Sequence, residues 1–361
     1  MFRRFAIVAL ALFLTSCAAP GTTPTIEPST TAPSTSPTPS ATPTSSPTPT
    51  PAAAPSARFA VMTYNILKGG TSCPGCAAMK KAGYADELDL KVRMPAAAAK
   101  IAYTGPAIVG IQENENDGKL PLTYLLPELP GYAAVNAKKS VPILYLESLF
   151  TLVDSGFATL EKPGVTCYQS DKTAGRYVSW AKLQHLETGG EIVVLNTHLH
   201  PGDSTECAAL RAESITKIRA LIDEVNPAGL PIIVTGDFNT LHGEEREGYV
   251  DPLDKMWAAE LVDAFDLADA DLSDVEEADS ANWMKAEIDG VEYAKAISTN
   301  HTHIDYIWLR DSALVTSWMV FSGPEIDYRD VEGQTVPFFA GVLPSDHSPV
   351  IADVTLTFEN R

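Results

Sequence analysis

A chain of 361 residues, 45% of them hydrophobic, is long enough to bury a sizeable core. Its formal net charge of −20 sets up a field that repels bulk nucleic acid and anionic lipid unless cations screen it. A nonspecific nucleic-acid coat is thereby excluded, whereas a metal-assisted nuclease is not.

Met1-Phe2-Arg3-Arg4 is a short basic start, and the apolar run from Phe5 to Leu14 follows it. That run is too short to span a bilayer as a mature helix but suits a signal-peptide core. It ends in Leu14-Thr15-Ser16-Cys17, which resembles a bacterial lipobox whose cleavage leaves Cys17 as a lipid-bearing N-terminus. Cleavage near Ala18-Ala19-Pro20 would instead release a secreted protein. From Pro20 to about Ser56 the chain is almost wholly Thr, Pro, Ser and Ala, too poor in apolar area to offset its ordering entropy. The expected organisation is therefore a signal peptide over 1–17, a disordered tether over 18–57, and a catalytic domain over 58–361. The protein is expected to be a monomer, exported, lipid-anchored at the outer face of a bacterial membrane, and in contact with lipid only through Cys17.

Within the domain, Phe59 to Ile66 reads as a strand, Met94 to Tyr103 as an Ala-rich helix, and Ala107 to Ile111 as a second strand. Further strands are predicted at Arg176–His185, Glu191–Thr197, Pro231–Thr235, His303–Leu309 and Val350–Phe358, with a hairpin at Gly189-Gly190. Cys207 to Val225 is the clearest helix: Ile215, Ile218, Leu221, Ile222 and Val225 share one face, and Asn226-Pro227 and Gly229 end it. The acid-rich stretch from Thr240 to Asn300 reads as a solvated loop, and its Asp269, Asp271 and Asp274 lack the Gly and Glu of a calcium loop. Apart from Cys17, the even set Cys73, Cys76, Cys167 and Cys207 favours disulfides in an exported protein, paired Cys73–Cys76 and Cys167–Cys207.

Several strands end in polar, metal-capable residues: Asn65, Glu113, Asn196 and His198, Asp237 and Asn239, and Asp305, with Asp346-His347 just before the last strand. Strand ends that feed one rim of a sheet core are where α/β proteins place sites. A carboxylate at that rim, such as Glu113, is costly unless a cation pairs with it, and Mg²⁺ asks for hard oxygen ligands. Asn65 offers a carbonyl oxygen beside it. Asp237 and Asn239, two apart, face one side in extended geometry, while Phe238 points into the core and Gly236 permits a sharp turn. Asp305 on an imidazole nitrogen of His347 would fix its tautomer and leave the other nitrogen free for a proton. Each has an ordinary reading as well: Glu113 as a turn cap, Gly236–Asn239 as an Asx turn, His347 as a hydrogen-bonded core histidine, and His200 as an exposed residue.

Together, Met62-Thr63-Tyr64-Asn65-Ile66, Ile111-Gln112-Glu113, Asn196-Thr197-His198-Leu199, Gly236-Asp237-Phe238-Asn239, Ile304-Asp305-Tyr306-Ile307 and Ser345-Asp346-His347-Ser348-Pro349 resemble the ordered signature of the endonuclease/exonuclease/phosphatase superfamily. The resemblance implies an α/β four-layered sandwich of two face-to-face mixed sheets flanked by helices. It implies Glu113, Asn65 and Asp346 as ligands of Mg²⁺ (or Mn²⁺), and Asp237, Asn239, His347, Asp305 and His198 as the catalytic set. Asn65, Asn196, Asn239 and His198 would hold the substrate, and either Asp237 or His347 would take the proton. The sequence departs from the family in having His303 where Arg usually precedes Ile-Asp-Tyr, and in a blurred tyrosine motif at Tyr145 followed by Glu147. Arg176, at a strand start, reads as a surface residue rather than a phosphate contact. The function implied is a nuclease or phosphodiesterase acting on nucleic acid, a phospholipid headgroup or a small phosphodiester. The alternatives are a sphingomyelinase-like or small-molecule phosphatase and an inactive surface binding module.

Overall fold

The structure, a computed structural model, describes residues 54–69, 77, 80, 88–115, 120–165, 167, 175–202, 204–241, 253, 256, 260–273, 283–288, 291–296, 303–310, 313–323, 326–331, 334–339 and 342–358. The expectations for the signal peptide, for Cys17 and nearly all of the tether, and for Cys73, Cys76 and Asp274 lie outside those residues.

Two six-stranded sheets form the body. The first contains β1 (Ser56–Asn65), β2 (Ile108–Gln112), β3 (Tyr132–Val135), β4 (Ile143–Leu146), β13 (Leu314–Val320) and β16 (Val350–Thr357). The second contains β5 (Phe150–Glu161), β6 (Arg176–His185), β7 (Glu191–His198), β8 (Ile232–Asp237), β9 (Leu261–Asp263) and β12 (Asp305–Arg310). Their spatial orders are β13-β16-β1-β2-β4-β3 and β5-β6-β7-β8-β12-β9, and each is mixed, with β1/β2 and β7/β8 as parallel pairs. Helices α1 (Leu90–Thr104) and α2 (Leu122–Leu125) accompany the first sheet, α3 (Thr205–Val225) the second, and α4 (Ala264–Leu267) follows β9.

Strand alternation explains the layering. On β1, Val61 joins the core between the sheets, whereas Met62 and Tyr64 join Met94, Ala97 and Ile101 of α1 on the outer face. On β7, Ile192 and Val194 face inward, while Val193 and Leu195 meet Ile215, Ile218 and Ile222 of α3. Burying each such side chain contributes roughly 1.5–3 kcal/mol, which is why both faces of the central strands are apolar. Asp89 caps α1 by accepting from the Lys91 amide at 2.9 Å, and Gly105, at φ 60°, ends it. Ser204 caps α3, and the Asn226 side chain both accepts from and donates to the Leu230 backbone where that helix stops. This is the four-layered sandwich that the sequence implies.

Near the polar end, the sheets are joined by hydrogen bonds rather than by packing. Asn196 Nδ2 donates to the carbonyls of Ile111 at 2.7 Å and Pro142 at 2.9 Å in the opposite sheet. Its Oδ1 accepts from Gln112 Nε2 at 2.7 Å and Thr235 Oγ1 at 3.1 Å. Gly110 lies against this group, and a Cβ there would overlap Thr235 Oγ1 and stand 2.7 Å from Asn196 Oδ1. Only glycine lets the two sheets approach so closely.

The acid-rich stretch is not simply a loop: it holds β9, α4 and the hairpin β10 (Trp283–Ile288) and β11 (Val291–Ala296). Charge density in the sequence masked a three-residue strand whose role is to pair with β12. A second hairpin pairs β14 (Ile326–Val331) antiparallel with β15 (Gln334–Phe339). The expected Cys167–Cys207 disulfide is present, with Cα atoms 5.1 Å apart, and ties the β5–β6 connection to the first turn of α3. Among the described residues, no helix is long and apolar enough to cross a membrane.

Candidate active site

Inward-facing positions change character along each central strand. They run from Val61 through Thr63 to Asn65 on β1, from Ile192 and Val194 through Asn196 to His198 on β7, and from Ile233 through Thr235 to Asp237 on β8. Apolar residues fill the middle of the sandwich and polar residues collect at one end. The β7/β8 register sets His198 beside Asp237, and the β8/β12 register sets Asp237 opposite Asp305.

Asn65 is the hub. Its Nδ2 lies 3.0 Å from Asp237 Oδ2, 3.3 Å from Glu113 Oε1 and 3.5 Å from His347 Nε2, while its Oδ1 accepts from the Leu67 amide at 3.1 Å. Glu113 stands just past β2 at φ 62°, a left-handed conformation that a non-glycine residue adopts only under constraint. Its Oε2 accepts from the Lys68 amide at 2.9 Å. Asp305 Oδ2 lies 2.6 Å from His347 Nδ1, so His347 presents Nε2 to the centre, 3.8 Å from Asp237 Oδ2. His198 Nε2 is 3.5 Å from the same carboxylate oxygen.

Asn239 departs from the extended geometry expected of it. At φ 50° it closes an Asx turn, its amide donating to Asp237 Oδ1 at 2.9 Å and its Nδ2 to the Leu199 carbonyl at 3.1 Å. The turn fixes the Asp237 carboxylate, so the ordinary and the functional readings coincide. Gly236 is not a turn residue either: it lies within β8, where a Cβ would stand 2.6 Å from the Thr197 carbonyl. Asn196 does not face the site, because its amide is wholly engaged between the sheets and fully buried. Tyr145 is likewise a core residue, opposite Ile108.

Burial dominates the electrostatics. It pushes the Asp237 carboxyl up to about 7, helped by the like charge of Asp305 and opposed by His347, Asn65 and Asn239. Burial raises Asp305 and Asp346 as well, the latter despite His347 and Arg93 nearby. For His347, burial acts downward, but Asp305, Asp237 and Asp346 outweigh it and hold the imidazole well above its ordinary value. His198 goes the other way, pushed well down by burial and then by Arg176, His347, Lys68 and His200. The result is one cationic and one neutral histidine flanking a carboxylate that titrates near neutrality.

Three supporting residues were not legible as such. Arg176 is 6% exposed rather than a surface residue, and its charge is felt at His198 and His200. Arg93 of α1 is fully buried, and its guanidinium donates to the carbonyls of Ile66, Leu67, Lys68 and Pro344. It thereby clamps the loop after Asn65 to the segment that carries Asp346. Ser345 Oγ donates to the Asn65 carbonyl at 2.7 Å, joining the same two segments. An arginine at an inward position of an otherwise apolar helix face was the signal that could have revealed Arg93. His200, expected to be exposed, is fully buried, and neither ring nitrogen has a hydrogen-bond partner among the described residues.

Residues 62–347 match the Endonuclease/Exonuclease/phosphatase family. The chain belongs to that family. It is, accordingly, a hydrolase of phosphoester bonds. The fold is shared with an endonuclease/exonuclease/phosphatase family protein from Bacteroides thetaiotaomicron at a TM-score of 0.60 and 20% identity, covering 85% of this chain and 100% of that one. A mannosyl-6-phosphatase of the same organism gives 0.57 and 20%, covering 82% and 99%. The TDP2 of D. rerio, solved with a single-strand DNA product, gives 0.50 and 14%, covering 83% and 99%. No curated protein matches the sequence.

Against the family pattern, His303 stands where arginine is usual. Its Nε2 lies 3.3 Å from Asp263 Oδ2, and its ring stacks on Tyr306 at 4.4 Å. The donor set also fits the divalent ion that such enzymes commonly use. Glu113 and Asp346 supply hard oxygens, whereas Asn65, expected to offer its carbonyl oxygen, turns Nδ2 to the centre and Oδ1 to the Leu67 amide. The carboxylates of Asp237, Asp305 and Asp346 are all raised by burial, as expected where a cation completes the charge balance. Ligand atoms of Asp237, Asp305 and His347 also lie within 4.8 Å of one another. Because His347 Nδ1 is engaged with Asp305, that trio reads better as a proton-handling group than as a metal cage.

Proposed function

We propose that the protein is an exported, Mg²⁺-dependent (or Mn²⁺-dependent) phosphodiesterase or nuclease that hydrolyses phosphate esters by in-line water attack. One observation supports this above all: Asn65, His198 and His347 lie within hydrogen-bonding or ion-pairing reach of Asp237, and Glu113 and Asp305 contact Asn65 and His347 in turn, so that six distant segments meet in one linked cluster. Glu113 and Asp346 would hold the cation, which when bound neutralises charge on the phosphoryl oxygens, while Asn65 steadies the Glu113 carboxylate through Nδ2. Asp237, poised near neutrality, would accept the proton of the attacking water while Asn239 holds its carboxylate in place. His347, kept cationic by Asp305, would donate Nε2–H to a phosphoryl oxygen, and neutral His198 would contact the same group. Asn196 has a structural part rather than a substrate-binding one.

A second reading, a phosphatase or sphingomyelinase-like enzyme acting on small esters, draws support from the net charge of −20, which disfavours long polyanions. The shared fold of a mannosyl-6-phosphatase is compatible with it. The N-terminal pattern ending at Cys17 supports export and lipid anchoring, with membrane contact confined to that residue. An inactive binding module would not need the Asp305–His347 pair.

The test is hydrolysis of a chromogenic phosphodiester, plasmid DNA, sphingomyelin and sugar phosphates by the purified chain, with and without chelator. His347→Ala and Asp237→Asn should each lower kcat by about 10²–10⁴ while circular dichroism stays unchanged. Chelator-resistant turnover, or full activity in His347→Ala, would overturn the proposal.

A further inference from the structure

Beside the reaction centre lies a feature that the hydrolytic chemistry does not use. β6 and β7 pair with Val178 opposite Thr197, so one step toward the strand ends Tyr177 lies across from His198 and projects from the same face. Phe157 on β5, opposite Ser179, shares that face, and its ring stacks on Tyr177 with centroids 5.1 Å apart at 24°. Lys139 Nζ sits 4.6 Å from the Phe157 ring centroid. The pair is held in place: Asn136 Nδ2 donates to the Gly156 carbonyl at 2.8 Å, and the Trp180 indole occupies the space where a Cβ on Gly156 would stand. The Tyr177 hydroxyl reaches over Gly175, where a Cβ would collide with it. Both rings remain partly exposed.

We infer that Tyr177, Phe157 and Lys139 form a platform for the organic half of the ester, and that this half carries a flat heteroaromatic ring about one sugar's length from phosphorus. The preferred substrate is thus a small nucleotide ester. The inference rests on the phosphoester reading above. Directly opposed residues on paired strands have Cβ atoms about 5 Å apart, and a base stacked on the Tyr177 ring would have its centroid about 4.5–7 Å beyond that ring. A ring lying there is separated from a phosphorus held at His198 by about the span of a pentose. Flat bases stack on aromatic side chains, and a lysine ammonium beside the ring adds charge attraction to the phosphoester. Lys139, Arg176 and Lys68 supply local positive charge for one or two phosphates, while the acidic remainder of the chain opposes a polymer.

Calorimetric titration of the full chain with Mg²⁺, using non-hydrolysable phosphonate analogues of AMP, ribose 5-phosphate and mannose 6-phosphate, tests this. The AMP analogue should bind about 10-fold more tightly than the ribose analogue, as expected for one stacked base. Tyr177→Ala should abolish that preference without changing affinity for the ribose analogue, whereas Tyr177→Phe should keep it. Lys139→Ala, an exposed change that leaves the core intact, should weaken the AMP analogue by a few-fold. Equal affinities for the AMP and ribose analogues, or tighter binding of the mannose analogue, would overturn the platform and leave the phosphoester reading standing. Tighter binding of a long single-stranded oligonucleotide would overturn the small-ester assignment. Absence of binding by every phosphonate would overturn the phosphoester reading itself.

Discussion

Asp237 and Asp305 face each other across adjacent strands, an arrangement that costs stability because like charges directly opposite repel. The raised Asp237 carboxyl gives the sign. Its contribution to stability is fully present below the unfolded value near 4 and is lost as pH rises through about 7. Asp237→Asn should therefore stabilise the metal-free protein at pH 8 by about 1–2 kcal/mol, and by little at pH 4, while abolishing turnover. Urea denaturation at the two pH values checks it. His200 behaves oppositely, since burial and then Arg176 and Arg211 push it down to about 4. Its contribution is present above pH ~6.5 and lost as pH falls through ~4. The native protein should lose an extra 1–2 kcal/mol or so between pH 7 and pH 5, and His200→Leu should remove that increment.

At the scale of the element, β7 serves two purposes within three residues: His198 faces the reaction centre and Asn196 joins the sheets. Asn196→Ala would remove the buried hydrogen bonds to the carbonyls of Ile111 and Pro142 and from Gln112 and Thr235, at a cost of about 3 kcal/mol. The expected result is a lower thermal midpoint with KM unchanged in the folded fraction; a raised KM would restore a substrate-binding part for Asn196. Strand ends such as Ile111-Gln112-Glu113 could be read because apolar runs stop there at metal-capable residues. The inward alternation that separates Asn196 from His198 gave no such sign, because both are polar and depth along the sandwich depends on partners in another sheet. Short elements escaped for a related reason. β9 has three residues, and its pairing with β12 is a long-range event that no local periodicity records. Arg93 and Arg176 were obscured because charge usually marks a surface, whereas Arg93 has backbone carbonyls to satisfy it and Arg176 a buried polar setting.

Across the whole molecule, the Cys167–Cys207 bond closes a loop with a sequence separation of 40 residues. Reduction should lower stability by roughly 2–4 kcal/mol, measured as a shift in denaturation midpoint with dithiothreitol, and Cys207→Ser should mimic it. The bond also bears on the site, since β6 with Arg176 follows Cys167 and the start of α3 adjoins the end of β7.

The reaction centre takes Asn65 and Glu113 from one slab of the sandwich, and His198, Asp237 and Asp305 from the other. A lateral slip of one slab over the other by an ångström or two would separate these partners while leaving every ladder of backbone hydrogen bonds whole. Mild urea or moderate pressure should accordingly silence the enzyme before the far-ultraviolet signal of its strands declines, making turnover a finer gauge of slippage than spectroscopy.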